Sequence, residues 1–338
     1  MIELFGVLNY TLPEELFNNI MTAKIKKKEL SEQLQQAVEK FRLLSAASMN
    51  FSDNEWQECK KELDKIYYKG NRSIISPYLV RSIDRRANPL KERPWAKSFI
   101  CIAVPLDIIP SLNLALPEVR TKASERKMAA YSKRLDYHIF CEETMKLFIS
   151  ELNPELALTK LEICVDTKAV PEKILAKFAG LGDIGYNNCL VCKGSSSFFI
   201  AIAFLEADLP SVQPEKQKLP CHECGRCVSA CPGAALTKEG FHPEKCISFL
   251  TMEKKSDLNE AEKKIIGNNI FGCDICISSC PKSKMTAPLK IDSEWLESLD
   301  EEGFIRIFKN SPCLYAKLER LKRNSGNIPK SSRSGASN

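Results

Sequence analysis

Cys221-His222-Glu223-Cys224-Gly225-Arg226-Cys227-Val228-Ser229-Ala230-Cys231-Pro232 is the stretch that decides how this chain is read. Its cysteines follow C-x2-C-x2-C-x3-C and end on proline, the spacing with which one run of chain wraps thiolates around an iron–sulfur cubane. A second run, Cys273, Cys276 and Cys280 followed by Pro281, repeats the spacing one member short, and Cys246 between the runs supplies the missing thiol. The last cysteine of each such run ligates the other cluster, because the chain crosses from one to the next. Cys221, Cys224, Cys227 and Cys280 are therefore assigned to one 4Fe-4S cluster. Cys231, Cys246, Cys273 and Cys276 are assigned to the second, and the two form a short wire. Paired C-x2-C units also bind zinc, but eight thiols in this order with Cys-Pro endings fit clusters better.

At 338 residues the chain exceeds what a single core usually organises. Hydrophobic residues at 44% and charged residues at 27% describe a folded globular chain. The longest apolar stretches, residues 99–106 and 198–205, are far short of the ~20 residues a membrane helix needs and read as buried strands. Met1, Ile2, Glu3 and Leu4 lack the basic segment and apolar core of a secretion signal, so a cytoplasmic protein without a membrane partner is expected. Fifteen cysteines in such a chain point to metal or redox use rather than disulfides. Each oxidised cluster with four thiolates carries about two negative charges, so the formal +6 falls to roughly +2 in the loaded protein.

Leu30, Leu34, Val38, Phe41 and Leu44 recur at the spacing of an amphipathic helix and predict one over residues 29–49. Met128, Tyr131, Leu135, Ile139, Met145 and Phe148 predict another over residues 124–152, capped by Ser124. Strand-like runs fall at residues 99–104, 163–165 and 198–204. Glu172–Phe178 reads as a short helix closed by Gly180, and Gly182 and Gly185 follow in a turn that either reverses the chain or lets backbone approach a ligand. Residues 210–220, polar with prolines at 210, 214 and 220, read as a linker. The expected fold class is α+β, with residues 1–209 as N-terminal helices and a catalytic domain, 220–290 as the cluster domain, and 291–338 as a helical segment with a basic tail. In that tail Lys317, Arg320, Lys322, Arg323, Lys330 and Arg333 face one acid, Glu319, which suits either a solvated surface or nucleic-acid phosphates. Cys189 and Cys192 form one more C-x2-C, read either as packing residues or as cofactor-facing thiols.

Several blocks in order resemble the epoxyqueuosine reductase family. They are Arg86, Ala87, Asn88, Pro89 and Leu90; Asp136, Tyr137 and His138; Val165, Asp166 and Thr167 with Glu172; Gly180, Leu181, Gly182, Ile184, Gly185 and Asn187; and Cys246, Ile247, Ser248, Leu250 and Thr251 with Phe271, Gly272, Cys273, Asp274, Ile275 and Cys276. The likeness covers about residues 85–327. It implies a nitroreductase-like cobalamin-binding domain followed by a bacterial two-cluster ferredoxin-like domain, with cobalamin and two 4Fe-4S clusters as cofactors. It also implies reduction of epoxyqueuosine to queuosine in tRNA by a monomer, through a Co(I) state fed by an external low-potential electron donor. Asp166 matches the family's proton donor, a role that calls for a pKa raised by an apolar site beside Ile163 and Val165. Arg86, Tyr137, His138, Gly182, Asn187, Ser248, Lys255 and Asp274 are the implied cofactor contacts.

On the residues alone, Asp166 reads as a turn or cap residue, His138 as a satisfied surface residue, and Ser248, Lys255 and Asp274 as ordinary loop hydrogen-bonders. The chain departs from the family pattern at Lys168 and Ala169, where Gly-Pro is usual, and at Asp183 and Tyr186, where Trp and Lys are usual. These positions are expected near substrate and cofactor. They leave open a related reductase with another substrate, and an electron carrier without cobalamin stands as a third reading.

Overall fold

The computed structural model describes residues 25–69, 82–215, 221–237 and 240–326. Lys330, Arg333 and part of the expected linker, residues 216–220, lie outside them. In chain order the elements are α1 (Lys27–Lys40), β1 (Ser45–Asn50), α2 (Asn54–Asp64), α3 (Ile83–Ala87), β2 (Ser98–Pro105), β3 (Glu125–Met128), α4 (Tyr137–Leu152), β4 (Leu161–Cys164), α5 (Glu172–Phe178), β5 (Asp183–Ile184), β6 (Leu190–Val191), β7 (Phe198–Leu205), α6 (Arg226–Ala230), α7 (Glu260–Ile266), β8 (Asn269–Phe271), α8 (Ile275–Ser278), β9 (Leu289–Asp292), α9 (Ser293–Ser298), α10 (Glu301–Ile307) and α11 (Lys317–Gly326). No helix among the described residues is long and apolar enough to cross a membrane.

The apolar runs of β2 and β7 form the middle of a four-stranded sheet of order β1-β2-β7-β4, every pair antiparallel. A strand covered on both faces has no polar side to present, which is why these runs do not alternate. One face, through Ile100, Ile102, Ala201 and Ala203, packs on Leu30 and Leu34 of α1 and on Met145 and Phe148 of α4. The other, through Phe99, Cys101, Ile202 and Phe204, packs on Trp56 and Leu63 of α2 and on Leu175 of α5. The result is three layers, helices on either side of an antiparallel sheet.

A smaller sheet of order β8-β3-β9 organises the cysteine-rich half around Phe271, Ile291, Phe304, Phe308 and Leu321. Its middle strand, β3, comes from inside the expected first domain and pairs parallel with β8 and antiparallel with β9. The expected helix over residues 124–152 is corrected by this strand. Arg126 and Met128 are buried while Glu125 and Lys127 are half-buried, a period of two that the helical pattern overran. The helix begins only at Tyr137, where the Asp136 side chain accepts the His138 N–H at 2.9 Å and caps it. Ser124, the expected cap, instead donates its hydroxyl to Asp292 at 2.7 Å. The other expected helix ends at Lys40; Arg42, at φ 55°, turns the chain into β1. Glu172–Phe178 is helical, and Gly180 at φ 85° closes it.

Candidate active site

Where β7 starts beside the cysteine loops, a cavity of about 320 Å³ is lined by Tyr131, Asn187, Cys189, Phe199, Ser248 and Asp274, together with Cys231, Cys246, Cys273 and Cys276. A second, of about 360 Å³, shares Asn188, Cys189, Ser196, Phe198, Phe199 and Ile277 with the first and adds Tyr137, Asp166, Glu172 and Lys173. The two make one cleft with a carboxylate at one end and four thiols at the other. A third void, of about 30 Å³, is ringed by Cys221, Cys224, Cys227 and Cys280 beside Tyr186, His222, Arg226 and Lys282. The eight cysteines thus fall into two groups of four around separate spaces, although each group joins chain segments some 50 residues apart. Gly185 packs beside this ring: a Cβ there would stand 2.8 Å from Val191 Cγ2 and 3.5 Å from Cys221 Sγ.

Asp166 follows β4 in a left-handed conformation, φ 56°, that side chains adopt at a cost and that recurs at functional turns. Tyr137 donates its hydroxyl to Asp166 Oδ2 at 2.7 Å, and His138 Nε2 stands 3.9 Å from the same oxygen. Burial, with the facing carboxylate behind it, pushes the Tyr137 pKa far up, so this hydroxyl stays a donor. The Tyr137 ring stacks on Phe199 at 3.9 Å and 6°, and Tyr131 meets both rings edge-on at about 6 Å. These rings form one wall of the cleft from the carboxylate to the thiols. Gly272, at φ 64°, lets the cysteine loop pass this wall, since a Cβ there would come within 2.9 Å of Ala129 Cβ.

The burial expected of Asp166 is not found: its side chain is 70% exposed, although Val165 lines the cavity beside it and Ile163 packs in the sheet's core. The shielded acid is Glu172, half-buried, which the resemblance included beside Asp166 without giving it a role. It stands in the first turn of α5, lines the cleft with Asp166, and its Oε1 is buried without a hydrogen-bond partner among the described residues. Burial, reinforced by the Asp166 charge, pushes its carboxyl up to about 7 despite the hydrogen bonds it receives from its own N–H and that of Asp166. Its neighbour Lys173 is half-buried; desolvation lowers the ammonium's pKa, and it donates to the Asn188 carbonyl at 2.7 Å. A Glu-Lys pair opening a helix looks like solvated surface in sequence, so only the family block that contains Glu172 marks it, and nothing marks Lys173.

Of the implied cofactor contacts, Tyr137, Asn187, Ser248 and Asp274 line the cleft. Asn187 also braces its loop, donating to Ser196 Oγ at 2.8 Å and accepting the Cys189 N–H at 3.1 Å. Asp274 accepts the Ala130 N–H at 2.6 Å, tying the cysteine loop to the end of β3. Arg86, Gly182, Lys255 and the His138 ring line neither cavity. Arg86 donates to the Val170 carbonyl at 2.6 Å; Gly182 lies so close to the Val191 carbonyl that a Cβ would sit 2.2 Å from it; Lys255 is exposed. His138 is held by Asp136 at 2.7 Å.

The departures from the family pattern also fall outside the cleft, contrary to expectation. Lys168 reaches back to the sheet edge, donating to the Ile163 carbonyl at 2.8 Å and pairing with Glu162 at 3.1 Å. Asp183 pairs with Lys177 at 2.9 Å, and Tyr186 covers the outer thiol ring and donates to Glu223 at 3.3 Å. Cys189 lines the cleft, whereas Cys192 is buried in the core beneath β7.

A model of the 4Fe-4S double cluster binding domain matches residues 220–283. The chain is 32% identical over 295 residues to an epoxyqueuosine reductase of Leadbetterella byssophila, covering 84% of this chain and 92% of that protein. It is 27% identical to one of Pseudomonas aeruginosa, over 84% of this chain and 81% of the other. Among solved structures, an epoxyqueuosine reductase with a tRNA-Tyr epoxyqueuosine-modified tRNA stem loop superposes with a TM-score of 0.69 at 22% identity, over 89% of this chain and 80% of the other.

Proposed function

The chain belongs to the epoxyqueuosine reductase family, and from that membership we propose that it reduces epoxyqueuosine to queuosine in tRNA. The observation that carries the reading is the single cleft joining Asp166 to the thiols of Cys231, Cys246, Cys273 and Cys276. Removing the epoxide oxygen as water while a carbon–carbon double bond forms consumes two electrons and two protons. A site for it needs a path for electrons at one end and acids at the other, and the cleft offers both.

Eight thiols in two groups of four suit two 4Fe-4S clusters. The proposal adds cobalamin, whose bound cobalt supplies the reducing centre. An apolar cleft with aromatic walls and few polar groups suits a large organic cofactor, and Tyr137, Asn187, Ser248 and Asp274 would hold it there. The three-layered sheet domain then corresponds to the nitroreductase-like cobalamin domain of the resemblance. Asp166, its Oδ2 held by Tyr137, delivers a proton from Oδ1 to the departing oxygen. Glu172, whose carboxyl titrates near neutrality, replenishes it from behind. Phe198, Phe199 and Ile200 give this end of the cleft an apolar wall. The protein acts in the cytoplasm as a monomer and takes its electrons from an external low-potential donor.

The test is anaerobic reconstitution with iron, sulfide and cobalamin, metal quantification, and a single-turnover assay on epoxyqueuosine tRNA. About eight irons with one cobalt per chain, and conversion that Asp166→Ala abolishes, support the reading. Eight irons without retained cobalt, or full activity in Asp166→Ala, overturn it.

A further inference from the structure

The two thiol groups differ in how they meet solvent. The inner group opens into the cleft, whereas the outer one, Cys221, Cys224, Cys227 and Cys280, lies at the surface with Cys224 exposed. Exposed Arg226 and Lys282 line the outer void, and exposed Lys284 follows two residues on. The Lys282 stem lies over Gly194, where a Cβ would come within 2.9 Å of Lys282 Cδ. Among the described residues, neither Arg226, Lys282 nor Lys284 makes an ion pair. Glu223, an exposed acid between Cys221 and Cys224, accepts the Tyr186 hydroxyl at 3.3 Å. The collar around the outer thiols is therefore basic, with its cations free to meet a partner.

We propose that this collar is the docking surface for a small acidic one-electron carrier protein, which delivers electrons at the outer cluster. The inference rests on the proposed clusters and deepens the reading of an external donor by giving it a place and a charge. An oxidised cluster with four thiolates carries about two negative charges, so it repels an acidic carrier unless cations surround the point of approach. Arg226 and Lys282 supply that compensation where Cys224 reaches the surface, with exposed Lys284 two residues further along the chain. Complementary charge of this kind steers encounter and raises association rates by roughly 10–10³-fold, an advantage that salt removes. The same cations could meet tRNA phosphates, but they surround the outer thiols, whereas Asp166 lies beside the other cleft end, past the inner thiols.

The test uses the reconstituted holoprotein under anaerobic stopped flow, with cluster reduction read by absorbance, so it needs no turnover on tRNA. Reduced flavodoxin, an acidic carrier, is compared with a neutral deazaflavin radical. The flavodoxin rate is expected to fall about tenfold or more from low to high salt and again in R226E/K282E at matched iron content, while the deazaflavin rate follows neither change. Lys284→Gln, farther from the thiols, is expected to give a smaller loss in the same direction. Chemical crosslinking of oxidised holoprotein to oxidised flavodoxin supplies a reading independent of electron flow, and is expected to weaken in R226E/K282E. Flavodoxin rates indifferent to both salt and charge reversal overturn the proposal. So does a charge-reversed protein that keeps its flavodoxin rate and loses binding of a tRNA stem loop. Absence of activity on epoxyqueuosine tRNA alongside a salt-sensitive flavodoxin rate would fail the substrate reading alone.

Discussion

Replacing Glu172 by glutamine removes an acid that lines the cleft with its Oε1 buried and, among the described residues, without a hydrogen-bond partner. The carboxyl is raised from 4.5 to about 7, with burial the leading cause. Between those values the folded protein holds a proton that the unfolded chain has released, so this group lowers stability as pH rises through that window, and the loss is complete above it. At about 1.4 kcal/mol per pH decade of displacement, the full effect is about 3 kcal/mol. Roughly 1.4 kcal/mol of it is already present at pH 5.5, which leaves about 2 kcal/mol to appear between pH 5.5 and 8.5. Glutamine is neutral in both states and escapes it. Glu172→Gln should therefore gain on the wild type by about 2 kcal/mol more at pH 8.5 than at pH 5.5, on the order of 4 °C in Tm. Thermal melts of the anaerobic holoprotein followed by circular dichroism at fixed scan rate measure this difference directly. An identical Tm difference at the two pH values would refute the shielded-acid assignment. If Glu172 also replenishes Asp166, wild-type single-turnover rates fall with pH above about 7, and the variant is slower below that pH with no break near it.

Tyr137→Phe deletes the hydrogen bond to Asp166 and keeps the ring on Phe199. An exposed hydrogen bond is worth about 0.5–1.5 kcal/mol net, so single-turnover rates should drop roughly two- to tenfold with iron content unchanged; an unaltered rate would remove Tyr137 from the site. Cys280→Ser and Cys221→Ser empty different chain segments of the same thiol ring. Both should lose the outer cluster and keep the inner one, leaving about four irons per chain and one electron paramagnetic resonance signal; different surviving signals in the two variants would contradict the grouping.

Much of this protein was legible because its information is local. The thiol spacings at residues 221–231 and 273–280 encode a ligand set within a few turns of chain, and the apolar runs at β2 and β7 can only be covered strands. Glu172–Phe178 with Gly180 behind it carries its own stop signal. Residues 124–128 were misread because Met128, Tyr131 and Leu135 also satisfy a helical period. Pairing with β8 and β9, about 140 and 160 residues away, decides between the two.

Spacing and residue chemistry by themselves pointed to two four-thiol sites, whereas Asp166, Tyr137 and His138 were singled out only by the family resemblance. Only the tertiary structure decided which acid is shielded, which thiol ring faces solvent, and that Lys168 and Asp183 point away from the cleft. Coordination spacing is a property of neighbouring residues. Burial and charge environment, by contrast, are set by whatever distant chain comes alongside, as Arg86 and Asp166 do for the charge felt by Glu172.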